Sequence, residues 1–77
     1  MFLKLDHLRK VISEVANIPL NEVQEHSSFK DDLGIDSLQM VNLILEIHTK
    51  FGVELNKIKS NDDLATVGSM YISLTRD

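Results

Sequence analysis

The 77-residue sequence has no cysteine and no tryptophan, with one proline and three glycines. Without cysteine there is no disulfide framework, no thiolate metal site and no cysteine nucleophile. So little proline and glycine argues against both a disordered chain and a turn-rich β fold. No apolar run approaches the roughly 20 residues that span a bilayer. The opening stretch, Met1-Phe2-Leu3-Lys4-Leu5-Asp6, lacks the basic region and long apolar segment of a secretory signal. Positive charge is scarce as well, with eight Lys and Arg against twelve Asp and Glu and a net charge of −4. Phosphate backbones repel such a chain, which argues against nucleic-acid binding. These absences predict one cytoplasmic domain over residues 1–77, monomeric and without a membrane span, with a core small enough to leave only modest stability.

What is present is helical periodicity. Leu5, Leu8, Val11, Ile12 and Val15 form one apolar stripe, with Lys4, Arg9, Lys10 and Glu14 off it. Pro19 disfavours helical geometry at Ile18, so this first helix should end near Asn17. Residues 37 to 51 carry the strongest pattern. Leu38, Val41, Leu45 and His48 share one row; Met40, Ile44, Ile47 and Phe51 share the next; Leu43 widens the surface further. Gly52 should stop this helix. So wide an apolar surface must meet more than one element or stay exposed for a purpose. Thr66 can cap a last helix whose stripe is Val67, Met70, Tyr71 and Leu74. Between residues 53 and 65 only a short helix fits. The expected fold is therefore all-α, a small four-helix bundle of three main helices plus one short helix. A long loop, residues 18–36, joins helices one and two, and its apolar residues suggest that it lies across the core.

The most informative stretch is Asp32-Leu33-Gly34-Ile35-Asp36-Ser37-Leu38. Asp36 can cap the second helix, with Gln39 completing a capping box. Ser37 is then the first helical residue, its hydroxyl at the positive end of the helix, where free N–H groups favour an anion. Taken alone, an Asp-Ser pair is an ordinary helix start. Ser37 also has no activating base: His48 stands eleven residues on, roughly 16 Å along the axis and beyond the reach of proton transfer. His7, His26 and His48 share no ligand spacing, and Asp31-Asp32 and Asp62-Asp63 lack the pattern of a calcium loop, so no metal site is expected.

Several spaced motifs change the weight of that dipeptide. Leu33-Gly34-Ile35-Asp36-Ser37-Leu38 resembles the attachment site of the acyl carrier protein family. Ser28-Phe29 and Asp32-Leu33 before it, Phe51 with Val53-Glu54-Leu55 after it, and Thr66-Val67-Gly68 at the last helix are also similar to that family. The resemblance covers nearly the whole chain. It implies a carrier rather than an enzyme, with Ser37 bearing a covalent 4'-phosphopantetheine arm transferred from coenzyme A by a phosphopantetheinyl transferase. Asp36 and Leu38 would flank the arm, whose thiol carries acyl groups as thioesters among loading and processing enzymes that dock on helix two. Phe29, Val41, Ile44, Leu45, Ile47 and Phe51, with Ile58, Leu64, Met70, Tyr71 and Leu74, could line an apolar cleft for the cargo.

The sequence also departs from the family. Slots that are often acidic on helix two read Gln39, Asn42, His48, Thr49 and Lys50, and the short-helix region reads Asn56-Lys57-Ile58-Lys59. Within the fatty-acid, polyketide or related biosynthesis that the resemblance implies, this argues against docking to standard fatty-acid synthesis enzymes and points to a dedicated carrier of a specialised pathway, for a polyketide, a non-ribosomal peptide or a modified acyl group. A peptidyl carrier of a non-ribosomal pathway and a small helical interaction module, indifferent to Ser37, remain as alternatives; a hydrolase lacks the base and third triad member it needs.

Overall fold

The computed structural model describes residues 3–76. Met1 and Phe2, the head of the N-terminal stretch read above, and Asp77 lie outside the described residues. Three α-helices form the frame: α1, Leu5–Ala16; α2, Ser37–Phe51; and α3, Val67–Thr75. No strand occurs among the described residues.

Helix α1 ends as its sequence predicts. Asn17 takes a left-handed conformation (φ 57°, ψ 50°) and its N–H donates to the Ser13 carbonyl. Leu8, Val11 and Ile12 are buried, and the lysines and Glu14 face out. Helix α2 divides its wide apolar surface between two environments. Leu43 and Ile47 are buried and Met40, Ile44 and Phe51 are partly buried, whereas Leu38, Val41 and Leu45 stand in solvent. The inner row joins the core; the outer row is left largely to solvent. Gly52, at φ 66°, ends the helix by donating its N–H to the His48 carbonyl. The fourth, short helix takes the form of two single 3₁₀ turns, Leu55–Lys57 and Asn61–Leu64. Their apolar residues are too few and too widely spaced for one amphipathic helix.

The long loop is packed down rather than free. Residues 25–29 run antiparallel to 65–68, with N–H to carbonyl bonds Phe29 to Ala65, Val67 to Ser27 and Gly68 to Glu25 at 3.1, 3.1 and 2.8 Å. Val23, Phe29, Leu33 and Ile35 insert as buried anchors. Arg9 of α1 donates to the Val23 and Leu20 carbonyls, so the loop's 3₁₀ turn at Leu20–Glu22 is tied back to the first helix. With so many side chains and backbone groups fixed, the start of α2 is delivered to a defined place above the core.

Candidate functional site

Asp36 precedes α2 in extended geometry, and its carboxylate Oδ1 accepts the Gln39 N–H at 2.8 Å. The Gln39 side-chain carbonyl returns the bond, accepting the Asp36 N–H at 3.3 Å. This capping box leaves Ser37 as the first helical residue, exposed, with no hydrogen bond to its hydroxyl among the described residues. The helix dipole and the free N–H groups of the first turn point at that position.

Beside Ser37 opens a cleft of about 770 Å³. Its apolar wall is Phe29, Ile35, Met40, Val41, Ile44 and Leu64; its polar rim is Lys30, Asp36, Ser37 and Asn61. The loop supplies one side, the first two turns of α2 another, and the Asn61–Leu64 turn the third. Phe29, Val41, Ile44 and Leu64 therefore line the cleft as the sequence pattern suggested. The other expected liners do not. Ile47, Met70 and Leu74 are buried in the core, Leu45 faces solvent, and Ile58 and Tyr71 pack against the core away from the opening. Phe51 instead stacks on His7 of α1, with ring centroids 5.9 Å apart. Leu38 follows Ser37 at the exposed start of the helix; at 72% exposure it stands in solvent rather than among the cleft liners, because one residue along a helix turns the side chain by about a quarter of the circle.

Sequence reasoning missed Lys30, Ile35, Met40 and Asn61 as liners. The position of Ile35 inside the attachment motif and of Lys30 next to Phe29 offered a signal. Asn61, from a turn with no periodicity, offered none.

The chemistry available here is narrow. His48 sits in the last turn of α2, where its Nδ1 donates to the Val53 carbonyl at 2.8 Å. The Asp36 carboxylate is engaged by the helix backbone. Neither is placed as a base for Ser37. No group of three His, Asp or Glu side chains that could hold a metal ion occurs among the described residues, and no helix there is long and apolar enough to cross a membrane. An accessible hydroxyl at a positive helix end, beside an apolar cleft and without a base, suits a group attached from outside. That hydroxyl and cleft fit an arm that is anionic where it joins the protein and carries an apolar load at its far end.

Comparison with known proteins bears on the same residues. The model of the family described as "Phosphopantetheine attachment site" matches residues 6–71. A protein named acyl carrier protein from Acidothermus cellulolyticus is 44% identical over 66 residues, covering 83% of this chain and 75% of the relative. One of the same name from Thermobifida fusca is 49% identical over 51 residues, covering 66% and 65%. A third, from Wolinella succinogenes, is 37% identical over 65 residues and covers 84% of each.

Proposed function

The chain belongs to the acyl carrier protein family, marked by its phosphopantetheine attachment site, and from that premise we propose that Ser37 is the attachment residue. The protein carries acyl groups as thioesters on a covalent 4'-phosphopantetheine arm. The observation that carries the assignment to Ser37 is its exposed hydroxyl at the capped start of α2, opening on the apolar cleft.

The protein's own residues prepare acceptance of the arm and do not catalyse it. The Asp36–Gln39 capping box fixes the first turn, and Ser37 Oγ is left clear for a transferase. As that oxygen bonds to phosphorus, the pyrophosphate link of coenzyme A breaks. The nucleotide half leaves, and the hydroxyl proton passes to a base of the transferase. The thiol at the end of the bound arm supplies the thioester chemistry. The cleft walls Met40, Val41, Ile44 and Leu64 can then shelter an apolar cargo from water.

Partner enzymes dock, in this reading, on the outer row of α2. Leu38, Val41 and Leu45 are 72, 52 and 49% exposed and follow one another at three and four residues. The charges of α2 itself balance, Glu46 against Lys50 at 4.0 Å, and Lys50 also lies 3.8 Å from Glu14 of α1. A face that is apolar and nearly neutral suits enzymes matched to it rather than enzymes that select a strongly acidic helix, which favours a dedicated carrier of specialised biosynthesis. The test of attachment is intact mass after incubation with coenzyme A and a broad-specificity phosphopantetheinyl transferase. One added arm, lost in Ser37→Ala, is expected; loading of Ser37→Ala would overturn the assignment. For the pathway, acylation by a generic malonyl transferase is compared with acylation by the enzyme encoded beside the carrier. Equal or better service by the generic enzyme would remove the specialisation.

A further inference from the structure

Lys30 is the one cation lining the cleft, and it makes no ion pair among the described residues. Its neighbours hold its backbone firmly. Phe29 is 1% exposed, its N–H donates to the Ala65 carbonyl at 3.1 Å, and its own carbonyl accepts the Ile35 N–H at 2.8 Å. That last bond closes the loop 29–35 on itself, with Gly34 at φ 63° making the turn. It places Lys30 and Ser37 on two sides of one opening. The other charged residue lining that opening is negative, Asp36 beside Ser37, and Asp31 and Asp32 follow Lys30 in the chain. Asp32 accepts the Ser28 N–H at 2.7 Å and Asp36 accepts the Gln39 N–H, so two of the three carboxylates are committed to the backbone. A phosphodiester on Ser37 adds one more negative charge to this rim.

We propose that Lys30 is a positioning residue for the arm: its ammonium pairs with the phosphodiester on Ser37 and holds the arm's first atoms against the cleft. The inference rests on Ser37 as the attachment residue. Lys30 is suited to the task because its flexible stem starts from a fixed backbone and its head is in water, where it can find an anion held on the opposite rim. The pairing screens the phosphodiester from Asp31, Asp32 and Asp36. It also biases the arm toward the apolar wall rather than toward bulk solvent.

The test compares wild-type, Lys30→Gln and Lys30→Arg proteins, each loaded with the arm and checked by intact mass. Failure of the wild-type protein to gain one arm would overturn the Ser37 reading itself, a result distinct from any outcome below. In loaded samples the phosphorus-31 resonance of the arm is recorded from low to high salt. The expected result is a wild-type resonance displaced from that of Lys30→Gln at low salt, moving toward it as salt screens the pair, with Lys30→Arg restoring the wild-type position. Loading is also expected to lower the melting temperature more in Lys30→Gln than in wild type. Superimposable phosphorus resonances at low salt in wild type and Lys30→Gln, or equal melting shifts on loading, would overturn the inference. A purely structural role for Lys30 would alter the unloaded proteins and leave the phosphorus signal alone.

Discussion

The N–H of Gly68 donates to the Glu25 carbonyl at 2.8 Å, and there is no room for a side chain between them. A Cβ at position 68 would lie 3.0 Å from that carbonyl oxygen and 2.9 Å from Glu25 Cγ. The long loop at Glu25 thus rests directly on the backbone of α3. Gly68 itself is buried and helical, where alanine is ordinarily the better helix former by about 1 kcal/mol. Here the close approach outweighs propensity, because the obstructing atoms include backbone. Gly68→Ala is expected to destabilise the domain by about 1–3 kcal/mol, the usual range for overpacking. Urea denaturation followed by circular dichroism checks this; an unchanged or raised midpoint would show that the loop yields freely.

The Asp36 cap separates two roles at one position. Asp36→Ala removes the acceptor for the Gln39 N–H and should lower stability by about 1 kcal/mol. Asp36→Asn keeps an oxygen in the same place and should lose far less. Thermal melts of the two variants distinguish them. Comparable losses in both would mean that charge at the helix start matters more than the hydrogen bond.

Most of this was readable from the chain because the features that place the site are local. The Asn17, Gly52 and Thr66 helix boundaries follow from capping chemistry within a few residues, and each appears where the pattern puts it. The Asp36–Gln39 box and the position of Ser37 are local in the same way. The cleft was only partly legible, because its walls come from three segments that meet only through tertiary contacts. Periodicity identifies Ile47, Met70 and Leu74 as apolar, but it cannot tell a core wall from a cleft wall. It also cannot say which row of α2 is left uncovered. The loop's backbone pairing with residues 65–68 has no periodic signal at all, since it consists of a few bonds between irregular segments.

The two rows of α2 should respond oppositely to truncation. Leu43 is fully buried, so Leu43→Ala should cost about 2–5 kcal/mol, enough to unfold much of a domain this small. Leu38→Ala, at 72% exposure, should change stability by no more than about 0.5 kcal/mol. If the outer row is the docking face, Leu38→Ala should nevertheless raise the KM for the loading transferase while the fold is intact. Calorimetry paired with loading kinetics reads both effects. Unaltered kinetics in Leu38→Ala would remove Leu38 from the docking face.

Asp63 ties the second 3₁₀ turn to its surroundings and makes stability depend on acid. Its carboxyl is held below the ordinary 3.8, chiefly by the Lys59 N–H, which it accepts at 2.9 Å. The nearby Ser73 hydroxyl acts in the same direction, as do the Ser60 N–H and the Arg76 guanidinium, whose Nη2 lies 3.9 Å from the carboxylate; partial burial works against them. The folded protein therefore binds this proton less readily than the unfolded chain does. The stabilisation is fully present above 3.8 and is lost as pH falls from there through the lower value of the folded state. Asp63→Asn should be less stable than wild type at neutral pH, and the two should converge as the pH drops below that range. Melting temperatures of both proteins between neutral and strongly acidic pH check the prediction. A gap that stays constant across the acid range would assign the difference to altered packing at residue 63 rather than to its charge.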